Sequence, residues 1–434
     1  MKNIAIFTTF TSADPAYSLN RVVQDQIKML VDHNYPVKVI VAEGFKAEEM
    51  YANPLVTLAY IPSVPCHNEV RMDTTFNQDV RSLEGVLTSV LQDVDVVLTH
   101  DVTYQPACLK HLIASKRIAK TYPHIRWLHW IHSATSPYLL ANLAQTFTDE
   151  FAKEIRVPFP NSYYVFFNDY MVPSIAKNYD VDESFVKVVH HPTDIGRYWK
   201  FSDRVMKLVK EKDMLNADAI AFTAVRLDRG KQVEYIIKIM GQMKTLQTDV
   251  RVIVADFHST GGDKVTYRDE LKHIAIDWGL NEKEITFCSE FQSDWHLNMP
   301  YEDSADLMKL ANVFIQPSRS ESYSLVTQEA GLQGNVMMLN QDWPPFRDIF
   351  GKMPLYRKFS SNADILEGIV GTDTQTNTKY TNEYSYMLSC AAAIKAELIN
   401  NRVVAEQTFL RKYRNTDYIF RNELEVLFNF EEVK

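Results

Sequence analysis

AIAFTAVRLDRGKQVEYII, residues 219–237, decides how this chain is to be read. An apolar run rich in β-branched and aromatic residues ends on Arg226, a turn with three cations and one glycine follows, and a helix begins near Lys231 or Gln232. The residues just before it, 200–216, are charged and poor in strand formers. From 219 onward an alternation of strand and helix therefore starts afresh.

The same alternation fills the first half. Strands are expected at 3–10, 37–43, 56–62, 94–100, 125–132, 163–169 and 185–192, with helices between most of them, for example from Ser18 to His33 and from Gln105 to Lys120. After the break they are expected at 219–227, 251–257, 284–290, 312–318 and 335–340. Short Val-, Ile- and Phe-rich runs separated by helical segments are the pattern of a parallel sheet covered on both faces. The fold class is α/β, with two doubly wound domains.

Length agrees. A chain of 434 residues exceeds the roughly 250–300 at which a single core stops growing. With 46% hydrophobic and 23% charged residues it has the composition of a globular protein. No run approaches the roughly 18 apolar residues of a membrane span, and the N-terminus lacks a signal-like apolar core, so a cytoplasmic location is expected. Cys66, Cys108, Cys288 and Cys390 lie too far apart for paired metal ligands or a dense disulfide framework and read as buried thiols. A net charge of −9 disfavours a general nucleic-acid coat, although a local basic groove is compatible with it.

Open parallel sheets bind ligands beyond the carboxyl ends of their strands. That rule selects Thr8 to Thr11, Glu43, His100, Asp101, His132, Asn168 and Asp169 in the first half. In the second it selects Arg226 to Lys231, Asp256 to Gly262, Glu290, Phe291 and the stretch SRSESYSLVTQEAG, 318–331. There Glu321 and Glu329 stand eight positions apart, and a helix starts near Ser324. Its first N–H groups suit the phosphates of a ligand. A carboxylate can grip the vicinal hydroxyls of a sugar; equally, one acid can face solvent and the other make a surface pair. Arg226, Arg229 and Lys231 suit a diphosphate, the alternative being a solvated turn paired with Asp228.

VRLDRGKQVEYII followed some ninety residues later by FIQPSRSESYSLVTQEAGLQG resembles the donor half of the retaining glycosyltransferases of family four, with their Arg…Lys pair and E-x₇-E. VKVVHHPTDIGRYW (186–199) is similar to their interdomain segment, with Asp194 on its Asp; YRDELKHIAIDWGLNEKEITFCSEF (267–291) to the helix and strand before the base-binding loop; and WIHSATS (130–136) to the segment that supplies a histidine near the donor sugar. The second half matches well and the first loosely.

The resemblance implies the GT-B fold, two Rossmann-like domains facing a central cleft. Residues 1–196 would form an acceptor-side domain joined by a C-terminal helix within 410–434, and residues 197–409 a nucleotide-sugar-binding domain, with a hinge near 193–200. It implies a metal-independent glycosyltransferase with no cofactor beyond a nucleotide-sugar donor, most often a UDP-sugar. Arg226 and Lys231 would hold the diphosphate, Glu329 the ribose, and Glu321 with the amides of Ser322, Tyr323, Ser324 and Leu325 the transferred sugar. His132 would contact that sugar; His129 is less well placed.

Two departures stand out. The loop TTFTSADPAYSLNR (8–21) has no glycine where the family has a glycine-rich loop, so acceptor contacts are not carried over. E-G-F-G-L is E-S-Y-S-L here, and serine fits turns other than those needing positive φ. Residues 293–308 are longer than the family's link and read as a lid, a partner surface or a surface insertion.

The acceptor is a glycan, a lipid, a protein, a small molecule or a modified DNA base; for DNA the candidate groove is Arg71, Arg81, Lys110, Lys116, Arg117 and Lys120. An epimerase of the same fold is disfavoured by the Arg…Lys and E-x₇-E pattern, and nothing in the sequence places the pyridoxal cofactor of a phosphorylase. A catalytically silent GT-B binding subunit is the reading from another class, and it would need neither acids, cations nor histidine.

Overall fold

A computed structural model describes residues 2–62, 75–134, 157–256, 264–296, 298–359 and 379–428. The first-half strands are β1 (Ile4–Phe7), β2 (Val37–Ala42), β3 (Val56–Ile61), β4 (Val96–His100), β5 (Arg126–Trp130), β6 (Ser162–Phe166) and β7 (Val186–Val188). They form one parallel sheet in the order β3-β2-β1-β4-β5-β6-β7. The second-half strands are β8 (Ala219–Ala224), β9 (Val250–Ala255), β10 (Ile285–Phe287), β11 (Val313–Gln316), β12 (Val336–Asn340) and β13 (Leu355–Arg357). Their sheet, again parallel, has the order β10-β9-β8-β11-β12-β13. β13 is the one strand that the sequence does not announce: three half-buried residues at an edge.

Central strands are buried on both faces, as in IAIF of β1 and VRVIVA of β9. Arg251 inside β9 is tolerated because its guanidinium reaches the strand end, where it donates to the Lys212, Val250 and Asp213 carbonyls and to Asp249.

The chain divides into two compact units, Met1–Asp194 with Thr416–Lys434, and Ile195–Asn415. In the first, Ile419, Phe420, Leu424, Leu427 and Phe428 join the core formed by Ile4, Ile6 and Val39. Phe420 stacks on His33 at 3.9 Å, and His33 Nε2 bonds Asp417 at 3.0 Å. In the second, the helix Arg402–Tyr413 is held by buried Arg411, which donates to the carbonyls of Met214, Leu215 and Ala217 at 2.7–3.0 Å. Burial pulls that guanidinium down to about 10.

Among its described residues, the stretch 293–308 is tied into the second unit. Trp295 is buried, and its Nε1 donates to Asp303 at 2.8 Å. Asp303 also accepts from Ser202 and Arg204. Burial alone would raise this carboxyl, and the three donors outweigh it and hold it below the usual carboxylate range.

Candidate functional site

The order of the second sheet reverses between β8 and β11, so the connections that leave these neighbours diverge and open a crevice at their carboxyl ends. Both motifs sit there. The turn after β8 and the loop after β11 are tied together twice: Arg319 N–H donates to the Gly230 carbonyl at 2.9 Å, and Lys231 Nζ meets Glu321 Oε1 at 2.5 Å.

The three cations of the turn do not act as one cluster. Arg229 points elsewhere, donating to Glu270 at 2.6 Å and lying over the Tyr267 ring at 4.9 Å. Asp228 takes neither arginine; its Oδ1 accepts from Gly230 N–H at 2.9 Å and shapes the turn. Arg226 is exposed and has no acidic partner among the described residues. Arg319, exposed on the facing loop, adds a cation that the motif reading missed.

Glu321 is a fixed group. Its Oε1 accepts from Lys231 and from Gln316 Nε2 at 2.8 Å, and its carbonyl accepts from Trp343 Nε1 at 2.9 Å. Asn340 Nδ2 holds the Ser318 carbonyl at 3.0 Å. These anchors come from the ends of β11 and β12 and the turn after β12; the strand-end rule could have found Gln316 and Asn340. Glu329, half-buried on the helix Leu325–Leu332, has no side-chain partner among the described residues. The two acids therefore differ in kind, one committed to the protein and one without a side-chain partner among the described residues.

That helix starts at Leu325, with Ser324 as its N-cap at φ 76° and ψ 77°. The expectation that serine escapes a positive φ here fails: Ser324 takes the left-handed conformation that favours glycine. Ser324 Oγ and Thr327 Oγ1 bond at 2.7 Å. The Leu325 and Val326 N–H groups precede the first intrahelical bond and are free to meet an anion. Ser322, Tyr323 and Leu325 are exposed beside them.

In the first unit, His132 follows β5 and is half-buried. Its Nε2 bonds His100 Nδ1 at 2.8 Å, His100 Nε2 bonds Gln26 Oε1 at 2.8 Å, and the His132 N–H donates to the Tyr104 hydroxyl at 3.3 Å. Burial first, and the nearby His191 second, pull the His132 imidazole down to about 3, so it is neutral at pH 7. His129 is a core residue, fully buried with Nδ1 on Thr99 Oγ1. Of the basic residues considered for a DNA groove, Lys110 pairs with Asp79, Arg117 with Glu84, and Lys116 is buried on the Val157 carbonyl. Arg71 and Cys66 lie outside the described residues; Cys108, Cys288 and Cys390 are buried free thiols. No helix among the described residues is long and apolar enough to cross a membrane.

Residues 207–352, within the second unit, match the family Glycosyl transferases group 1. No curated protein gives a match. Among solved structures the chain is similar to a sucrose-phosphate synthase from Thermosynechococcus elongatus at 14% identity, covering 93% of this chain and 100% of that one with a TM-score of 0.33. It is also similar to Anabaena HepE in complex with UDP and glucose, at 14% identity over 94% and 100% with a TM-score of 0.32. A third is a UDP-forming trehalose-phosphate synthase from Burkholderia xenovorans, at 12% identity over 99% of each chain with a TM-score of 0.34.

Proposed function

We propose that the chain transfers a sugar, with retention, from a nucleotide diphosphate sugar to a hydroxyl acceptor, without a metal. The observation that carries this is the arrangement at the β8–β11 crevice: a free Arg226, a Lys231–Glu321 pair, an open Glu329 and the first amides of the Leu325–Leu332 helix, all within the matched glycosyl transferase region. Arg226, Lys231 and the amides receive the diphosphate, and their positive field lies where charge develops as it leaves. Glu329 takes the ribose hydroxyls, and Glu321 with the loop from Ser322 to Leu325 faces the transferred sugar. The bond from the anomeric carbon to the diphosphate breaks and a bond to the acceptor oxygen forms on the same face. The acceptor's proton passes to a phosphate oxygen of the leaving group. A UDP-sugar is the favoured donor.

Thermal stabilisation against UDP-, GDP-, ADP- and CDP-sugars tests this. One donor is expected to raise the melting temperature of the wild-type chain, and Glu329→Ala and Arg226→Ala are each expected to abolish the rise. A chain that no nucleotide sugar stabilises, or whose rise survives both substitutions, would refute the assignment.

A further inference from the structure

We propose that the second unit holds a further small-molecule site, at the opposite end of its sheet from the β8–β11 crevice, and that this site takes a ring-sized apolar molecule carrying one anionic group. It stands independently of the donor reading above.

The site is a cavity of about 380 Å³, within the range of small-molecule pockets. It lies between the C-terminal end of the helix Lys379–Asn400, the helix Arg402–Tyr413 and the turns that lead into β8 and β9, which place Asp218 and Thr248 on its wall. Those turns are at the amino ends of the strands, whereas the motif residues are at the carboxyl ends. Buried bonds fix the walls. Arg411 clamps the Arg402–Tyr413 helix onto the carbonyls of Met214, Leu215 and Ala217, and Asn312 Nδ2 donates both to Thr408 Oγ1 at 3.2 Å and to the Asp218 carbonyl at 2.8 Å. Elements tied in this way have little room to collapse into the space, and Ala405 fills it with no more than a methyl group.

The lining has two chemical halves. Leu398, Ile399, Phe409 and Tyr413 make the apolar one, with the rings of Phe409 and Tyr413 5.4 Å apart. Ile399 is 63% and Phe409 42% exposed, so apolar surface is left in water that an apolar body would cover.

The polar half gathers at the turn before β9. Lys395 Nζ donates to the Leu246 carbonyl and has no acidic partner among the described residues. Two residues on, the Thr248 hydroxyl is buried without a hydrogen-bond partner among the described residues, a cost that a ligand oxygen would remove. The one acid of the lining, Asp218, is already engaged by Lys412 and by the Asp249 N–H. An unshared ammonium and an unmet hydroxyl at one turn select an anionic oxygen group, and the apolar half beyond them receives the body attached to it.

Fluorescence titration of the full-length chain with anilinonaphthalene sulfonate, an aromatic body bearing a single sulfonate, tests the proposal. The dye is expected to bind saturably with one equivalent per chain and to stay bound when UDP-glucose is added. Lys395→Met is expected to weaken it about fivefold, the loss of one charged hydrogen bond near the surface, and Lys395→Arg to keep most of the affinity. The neutral dye phenylnaphthylamine is expected to bind the wild-type and Lys395→Met chains alike. Ala405→Trp, which fills the cavity, is expected to abolish binding; Ile399→Ser, at an exposed position on which the fold does not rest, is expected to weaken it and decides the matter if the tryptophan variant misfolds. The absence of saturable binding, displacement of the dye by UDP-glucose, or an affinity that both Lys395→Met and Ile399→Ser leave unchanged would overturn the proposal.

Discussion

Lys231 and Glu321, one on each of the two loops that diverge from the β8–β11 crevice, form an ion pair at 2.5 Å with only 15% of each side chain exposed. The pair closes the site at its base and commits the first acid of the E-x₇-E motif to the protein. Arg226, by contrast, is exposed and has no acidic partner among the described residues.

Breaking that pair on one side strands a carboxylate. Lys231→Met is expected to destabilise the second unit by about 1–3 kcal/mol, because Glu321 keeps only Gln316 as a donor to its carboxylate. The double variant Lys231→Met/Glu321→Gln is expected to recover much of the loss, since no buried charge remains. Urea unfolding of the two chains decides; equal stabilities would mean that the pair is solvated and energetically idle.

Ser324 holds a left-handed conformation that costs an L-residue about 1–2 kcal/mol. Ser324→Gly relieves that cost, loses the bond to Thr327, and is expected to stabilise by up to about 1 kcal/mol. Ser324→Val, branched at Cβ, is expected to destabilise. A melting temperature that falls with glycine would show that the hydroxyl bond outweighs the backbone strain.

The segment after Asn415 is expected to be indispensable to the first unit. Phe420→Ala is expected to cost about 3–5 kcal/mol as a buried aromatic removal. In a chain ending at Asn415, limited proteolysis is expected to cut first within residues 2–134 and 157–194. Unchanged resistance there would mean that the first core closes without its last five apolar side chains.

Acid is expected to weaken the first unit early. Burial, followed by the neighbouring cations, pulls His111 to about 4 and His129 to about 3. The folded state stays neutral where the unfolded chain takes up protons near pH 6.5, so this stability is complete above that pH and is lost as pH falls towards 4. The slope is at most about 1.4 kcal/mol per pH unit for each histidine. Denaturant midpoints at pH 7.5 and 5 measure it, and His129→Leu is expected to flatten the dependence; a slope that this substitution leaves unchanged would count against the assignment.

Much of the fold was legible because buried parallel strands are written as Val-, Ile- and Phe-rich runs, and twelve such runs mark strands that the structure contains. β13 escaped because Leu355, Tyr356 and Arg357 form too short a run, and their pairing with β12 is what makes them a strand. The positions of the motif residues were legible; their partners were not. Glu321 finds Lys231 ninety positions away, and Arg229 is drawn off by Glu270, forty-one positions on, pairings that exist only once the sheet order is set. Likewise no local signal distinguishes a serine at positive φ from any other. The comparison with E-G-F-G-L marked the position without giving its backbone angle.

Because the first unit is completed by residues 416–428, its assembly is interrupted by everything in between. On the ribosome roughly 220 residues of the second unit must be synthesised before that missing piece emerges, about 10–40 s at about 5–20 residues per second. By the end of that interval the second unit, continuous in sequence, has all it needs to fold, while the core around Ile4, Ile6 and Val39 still lacks Ile419, Phe420, Leu424, Leu427 and Phe428. Synthesis order and folding order are thus reversed in this protein: the half made first is the half finished last, and it is there that chaperones would be needed most.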